Sequence, residues 1–575
     1  MRHEQAVLKI AVANRLGGLV AMLPALLLCA QCFAQPTSTP KISQIIVDDS
    51  LPVLAPGGQT INAYVGGGLP DEHSTILPPG TLPGQPDFLF FVATPKPLTH
   101  PLLSNDETLV LRSVSPPAST ASWTLDYAPD YGNGAVFLPA MTHTHCPIVD
   151  VPSLQDPTFD LNYAGVGTVF LDPTNPKNEG GGNLLMVYEG ANRCIGITDS
   201  RLPRGNSAYS TIGIATSNDN GQSWPTYRAN FTPLPLLSKW IGPYAEMGAW
   251  GSNVCWGNYC PDMTVLDPPL TYGRYAVSGP VTTVYQAMLS IPPNSNQELA
   301  ENTGDSEPSA FVDDVAGGST PPYVYVVHTY HPGSLSQFPN NSLLYPQPPP
   351  NNTAEEFPTV KFDLAISRAQ LNGGRKRLQF YHWYNGGFTE PALGSDTQTS
   401  GGHETPIFAT PGLSDDLNAY MQCLTPIQQR SDGSLSYSQD THEYVLLFVC
   451  TSPTNPKTEK HYPPLPIERV PGGTWFYSTL DADQYDLSAQ DHWSAPRQMM
   501  SSPTTAFWSP FGTTTTCTGE GFDGWYPSIM SSNYPSPGPK PGYLTSTGWI
   551  FFLSGCEAKN PGRTYSTRFF TIITQ

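Results

Sequence analysis

Tyr323-Val-Tyr-Val-Val-His328 followed by Asp363-Leu-Ala-Ile-Ser-Arg368 decides the fold, because this pair of runs recurs along the chain. The first run is apolar almost throughout, and the second is β-branched or apolar and carries a serine. Glu443-Tyr-Val-Leu-Leu-Phe448 with Thr474-Trp-Phe-Tyr-Ser478 repeats it. So do Asn183-Leu-Leu-Met-Val-Tyr-Glu189 with Ile212-Gly-Ile-Ala-Thr-Ser217, and Trp549-Ile-Phe-Phe-Leu553 with Thr564-Tyr-Ser-Thr-Arg-Phe-Phe570. Asp87-Phe-Leu-Phe-Phe91 with Leu109-Val-Leu-Arg-Ser-Val114 is a weaker copy at the front. Short apolar runs rich in β-branched and aromatic residues suit buried strands. Five antiparallel units at this spacing predict an all-β fold, a five-bladed β-propeller, whose axis leaves room for a pocket.

Each unit extends at both ends. The expected inner strands are Thr60–Val65, Gly165–Phe170, Glu307–Val312, Cys423–Ile427 and Tyr526–Met530. The expected outer strands carry tryptophan: Ser122-Trp123-Thr-Leu, Ser223-Trp224-Pro225, Tyr381-His-Trp383 and His492-Trp493-Ser-Ala-Pro496. The last unit ends at Gln575 with no outer strand. Ile42-Ser-Gln-Ile-Ile-Val47 is unassigned and can supply it, closing the ring and removing two open sheet edges. Large insertions are expected at 225–300 and 331–360, with a Pro/Asn-rich surface loop from Pro339 to Thr353.

Residues 1–34 read as a signal peptide. Arg2, His3, Lys9 and Arg15 precede an apolar stretch from Leu16 to Phe33 that ends in small residues at Ala34. The remaining domain, residues 35–575, is expected to be secreted, extracellular or periplasmic, and monomeric. Of the 10 cysteines, Cys29 and Cys32 fall in that leader, and the even remainder suits an oxidising compartment. The strand map brings Cys146 to Cys194, Cys423 to Cys450 and Cys517 to Cys556 within single blades, leaving Cys255 and Cys260 for a local bridge. A net charge of −20 disfavours nucleic acid and anionic membranes as partners. With 62 Pro and 51 Gly against 13% charged residues, turns dominate over helices.

Strand direction sorts the polar residues. The start of an inner strand and the end of a second strand share one mouth, which gathers Asp160, Glu189, Glu307, His328, Gln422 and Asp523. Glu404 and Glu520 can join from the preceding loops. Glu189 ends an apolar strand, where burial would raise its pKa toward general-acid duty. Glu307 opens an inner strand, and Asp523 lies among glycines and aromatics. These three are the candidate catalytic carboxylates. His328, Trp525, Tyr526, Asp160 and Gln422 are the candidate sugar contacts. No nucleophile elbow, phosphate loop, dinucleotide fingerprint or His-Glu-x-x-His zinc motif occurs. No cofactor and no metal ligand set is assigned. A Ca²⁺ at the axis would leave no sequence signature, and His143 with His145 read as ordinary loop histidines.

Ser217-Asn-Asp219-Asn-Gly221-Gln-Ser223-Trp224 resembles the Asp-box of sialidases and related propellers, with Ser223 in place of threonine. It implies a turn between strands three and four on the face opposite the mouth, so Asp219 reads as structural. With Tyr323-Val-Tyr325 and Leu364-Ala-Ile-Ser-Arg368, the chain resembles secreted five-bladed glycosidases: the arabinanase and fructosidase families and the endo-D-arabinanase propellers. That resemblance implies a glycoside hydrolase acting on a polysaccharide or oligosaccharide, of arabinan type among others, through paired carboxylates. The alternatives are a non-catalytic carbohydrate- or surface-binding propeller and, third, a polysaccharide lyase using His328 as base.

Overall fold

The structure is a computed structural model. It describes residues 39–48, 51–61, 64, 72–94, 107–115, 122–125, 135–137, 163–175, 184–192, 208–217, 219–221, 224, 274–278, 302–314, 322–331, 363–371, 378–392, 404–408, 423–424, 429–451, 454–455, 460–461, 474–501, 524–532, 542–554 and 564–575.

Five blades form a closed ring. Blade one runs outward from Thr75–Leu77 through Phe88–Thr94 and Glu107–Ser113 to Thr124–Leu125. Blade two is Tyr163–Leu171, Leu184–Asn192, Ala208–Ser217 and Arg274–Ser278. Blade three is Asn302–Asp313, Tyr323–His331, Asp363–Gln370 and Tyr381–Tyr384, continued by Gly387–Pro391. Blade four is Gln429–Ser438, Glu443–Thr451, Thr474–Asp481 and Arg497–Gln498. Blade five is Trp525–Ser531, Thr547–Ser554 and Thr564–Thr574, closed by Ile42–Val47.

The closure is the one expected from the missing last strand. Ile45 pairs with Ile572 and Val47 with Phe570, antiparallel, and Met500–Ser501 caps the new edge in parallel. Among the described residues, no helix is long and apolar enough to cross a membrane.

Strand alternation explains why the second strands are apolar over most of their length. Tyr325 and Val327 face blade four, while Val324 and Val326 face blade two. In the same way Leu446 and Phe448 face blade three, and Val445, Leu447 and Val449 face blade five. Successive side chains of one strand thus fill two different interfaces. Among the described residues there are five such buried clusters, one for each neighbouring pair of blades, including the pair of blades one and five that closes the ring.

Two expected inner strands fall elsewhere. Thr60 pairs only locally, in Gln59–Thr60 against Leu54–Ala55, and Ile61 packs into the interface with blade five. The inner strand of blade one is Thr75–Leu77, too short to stand out. Cys423 and Leu424 form a turn, and the polar segment Gln429–Ser438 is the inner strand of blade four. The fourth strand of blade two is Arg274–Ser278, not the segment at Trp224, whose buried indole meets Phe91 edge-on at 6.4 Å instead. In blade four the outer strand begins after Trp493, at Arg497.

The Cys423–Cys450 disulfide is present as expected from the strand map. Cys146, Cys194, Cys255, Cys260, Cys517 and Cys556 lie outside the described residues. Arg430 buttresses the same corner. It donates to both oxygens of Asp363 at 2.7 Å and to the Cys423 carbonyl at 2.9 Å, joining blades three and four.

Candidate functional site

Four of the five inner strands share one irregularity. In blade three, Glu307 and Pro308 together oppose His328; in blade four, Asp432 and Gly433 oppose Phe448; in blade five, Tyr526 and Pro527 oppose Phe552. Blade two has its register shift at Gly167. These β-bulges align four tetrads: Gly165-Val-Gly-Thr168, Ser306-Glu-Pro-Ser309, Ser431-Asp-Gly-Ser434 and Trp525-Tyr-Pro-Ser528. The second residue is left-handed in three of them, with φ of 55° at Glu307, 53° at Asp432 and 56° at Tyr526. A left-handed conformation at a residue other than glycine is costly and gathers at functional positions.

The third residue must be small or ring-closed because the strands converge on the axis. A Cβ on Gly167 would lie 2.1 Å from the Pro308 carbonyl oxygen, and one on Gly433 would lie 2.4 Å from Val327 Cγ1. In blades two and five the fourth residue stitches blade to blade. Thr168 Oγ1 accepts from Ala310 N at 2.9 Å, and Ser528 Oγ accepts from Ser74 N at 3.2 Å. Thr75 Oγ1 accepts from Val169 N at 3.1 Å. Thr75 therefore takes the fourth place in blade one, which puts His73 in the place of Glu307, Asp432 and Tyr526.

These residues meet at the axis. The His73 ring lies beside the backbone of Glu307, although blades one and three are not neighbours, and meets Tyr526 edge-on at 5.9 Å. Burial drives the His73 pKa down to about 3, partly opposed by the Glu307 carbonyl, so the imidazole is neutral at physiological pH.

Glu189 is held next to this ring. Its Oε1 accepts from Ser210 Oγ at 2.8 Å, and its Oε2 accepts the bulge amide of Glu307 at 2.9 Å. Burial pushes its pKa up to about 7, reinforced by the charge of Glu307. A hydrogen bond shared with the Glu72 carboxyl, and those donated by the Glu307 amide and Ser210, pull the other way. Glu307 is only half-buried. Its Oε2 accepts from Thr329 Oγ1 at 2.5 Å, and that hydroxyl accepts from Asp432 N at 3.0 Å. Asp432 in turn takes the Tyr526 amide on Oδ2 at 3.2 Å. Carboxylate or hydroxyl thus receives the next blade's bulge amide from blade two to blade five.

The structure brings together Glu189, Glu307 and Tyr526 from the sequence candidates. Trp525 sits half-buried between two interface clusters. His328 is fully buried one strand behind Glu307, against Glu404, and does not line the axis. Asp160, Gln422, Glu520 and Asp523 lie outside the described residues. Sequence reasoning passed over Glu72, His73 and Asp432. The tetrad of a variable residue followed by Gly or Pro and then Ser or Thr is the signal that locates Asp432. Asp219 belongs to a turn built around the Ser217 hydroxyl, which donates to its Oδ1 at 2.8 Å and accepts from Gly221 N at 3.0 Å.

The fold and this axial ring define a five-bladed β-propeller with a carboxylate cluster at its centre. No family model matches the sequence, and no curated protein is significantly similar to it. Among solved structures, the chain is similar to a protein of unknown function from Dyadobacter fermentans, with 10% identity, TM-score 0.32, and 92% of this chain and 100% of that one covered. It is similar to an N-acetylgalactosamine deacetylase from F. plautii, in complex with blood group B trisaccharide, with 10% identity, TM-score 0.34, and coverage of 93% and 96%. It is also similar to an endo-1,5-alpha-L-arabinanase from Thermotoga petrophila, with 11% identity, TM-score 0.30, and coverage of 88% and 74%.

Proposed function

We propose that the protein is a glycoside hydrolase acting on a polysaccharide or oligosaccharide at the propeller axis. The observation that carries this reading is the Glu189–Glu307 pair. One carboxyl is raised to about 7, so that it holds a proton near neutrality, and its neighbour is half-exposed at the ring axis. Cleaving a glycosidic bond needs that division of labour. Glu189 gives its proton to the leaving oxygen. Glu307 acts on the opposite side of the sugar, either drawing a proton from the attacking water or bonding to the anomeric carbon. Tyr526 and neutral His73 offer an aromatic edge and a hydrogen-bonding group beside them. The proposal extends to an exported, monomeric chain with residues 1–34 as leader and 35–575 as the mature domain.

The test is a panel of plant, microbial and mycobacterial polysaccharides with wild type, Glu189→Gln and Glu307→Gln. Loss of general acid–base action should lower turnover by roughly 10²–10⁴-fold with the fold retained. Asp219→Ala should lose stability while keeping turnover per folded molecule. Wild-type turnover in both glutamate variants rules the assignment out. A glycan bound but not cleaved by wild type favours the binding-propeller reading.

A further inference from the structure

Behind the axial carboxylates lies a second cluster that the hydrolytic reading does not use. His328 ends the apolar run of blade three's second strand, directly opposite the Glu307–Pro308 bulge. His382 stands on the fourth strand, paired with Ser367 of the third. Glu404 comes from the segment 404–408, which is fastened to the same blade by Thr405 N to Trp383 O and Ile407 N to Leu364 O, both 2.9 Å.

The side chains converge. Glu404 Oε2 lies 2.9 Å from His328 Nε2, and Glu404 Oε1 lies 3.4 Å from His382 Nε2. Asp305 Oδ2 lies 3.8 Å from the same His328 nitrogen. None of the four side chains is more than 2% exposed. One ligand atom from each of His328, His382 and Glu404 falls within 4.8 Å of the others. A cation with bonds of about 2.0–2.2 Å to nitrogen and oxygen needs donors about 3–4.4 Å apart, so the spacing is close to that of a coordination shell.

The surroundings of His382 support that role. Ser367 Oγ is 2.7 Å from His382 Nδ1. With the proton on Nδ1 donated to that hydroxyl, Nε2 presents its lone pair to the cluster, as the outer partners of metal-bound imidazoles do. The other tautomer donates from Nε2 to the Ala392 carbonyl, 3.1 Å away. The two arrangements differ by one proton shift within the ring and need no movement of the chain.

We propose that His328, His382 and Glu404, with Asp305 as fourth ligand, bind one divalent first-row transition metal ion such as zinc. Two imidazoles among the donors disfavour calcium and magnesium, which take oxygen ligands. A closed site of four protein ligands is structural rather than catalytic. The ion ties the second and fourth strands of blade three to the 404–408 segment. It thereby steadies the strand from which Thr329 holds the Glu307 carboxylate. The proposal does not depend on the hydrolase reading.

The experiment is metal analysis and zinc titration of the full-length mature protein after dialysis against a chelator, followed by calorimetry and thermal melting. One equivalent of zinc should bind, and Tm should fall with chelator and rise with zinc concentration, since an ion that binds only the folded state stabilises it by mass action. Cobalt should substitute and give a visible absorption band. His382→Ala and Glu404→Gln should lose both the stoichiometric binding and the metal dependence of Tm. If either variant fails to fold, the wild-type titration decides alone. No stoichiometric binding of zinc, cobalt or manganese by wild type overturns the proposal. Binding that survives in both folded variants also overturns it, and points to an ion held elsewhere.

Discussion

The inner strands of blades three and four make the same bulge from different material. Blade three uses Ser306-Glu307-Pro308-Ser309 and continues into the apolar Ala310-Phe311-Val312. Blade four uses Ser431-Asp432-Gly433-Ser434 within a strand that is mostly polar. One of these strands is expected from sequence and the other is not, yet the backbone treats them alike. Both second residues are left-handed, and each bulge amide bonds to the preceding blade. What the two strands share is a second residue that tolerates the bulge, a Gly or Pro where the strands crowd, and a serine after it. Hydrophobicity is optional there, because cross-blade hydrogen bonds supply part of the cohesion. The chemical outcome differs too: Glu307 reaches the axis half-exposed, whereas Asp432 is fully buried and its Oδ2 accepts the Tyr526 amide.

The largest effect expected on this comparison comes from filling the crowded third position. Gly167→Ala would set a methyl against a backbone carbonyl 2.1 Å away, which cannot step aside. Gly433→Ala meets the methyl groups of Val327 and Leu364 at 2.4 and 3.0 Å, which can rotate. Overpacking ordinarily costs about 1–3 kcal/mol. Urea melts should place Gly433→Ala in that range and Gly167→Ala at or above its upper end. Equal and negligible losses would mean that the strands do not converge as described.

A second effect separates the axial carboxylates from the structural ones. Burial raises the Glu189 pKa from 4.5 to about 7. The folded state therefore holds this proton more tightly than the unfolded chain does. Its contribution is fully present below about pH 4.5 and is lost as the pH rises to about 7, roughly 3 kcal/mol in all. Glu189→Gln should remove that slope, so the variant gains on wild type between acid and neutral pH. Parallel stability curves for the two proteins would contradict the burial-driven shift.

Legibility in the sequence followed burial. The second strands announce themselves because their side chains fill two blade interfaces, as Tyr323–His331 and Glu443–Thr451 do. The ring closure was readable because Ile42–Val47 was a strand without a partner and Phe569–Ile573 lacked a neighbour. Inner strands were readable only where an apolar tail followed the bulge, as at Phe311. Thr75–Leu77 and Gln429–Ser438 gave no such run. Glu189 and Glu307 were found because a carboxylate at a strand end stands out against apolar neighbours. Glu72 and His73 precede a strand of three residues, and their place in the ring emerges only from the hydrogen bonds of Thr75 and Ser74. Strand direction points His328 at the mouth, but its side chain turns into the blade to meet Glu404.

The central claim is that the propeller axis keeps a protonated carboxyl at Glu189 beside Glu307 near neutral pH. Carbon-13 NMR of protein labelled at the glutamate carboxyl tests it most directly, comparing wild type with Glu189→Gln across a pH titration. The account predicts a carboxyl resonance with a midpoint near 7 that is missing from the variant. A Glu189 resonance that titrates entirely below pH 5 would contradict it.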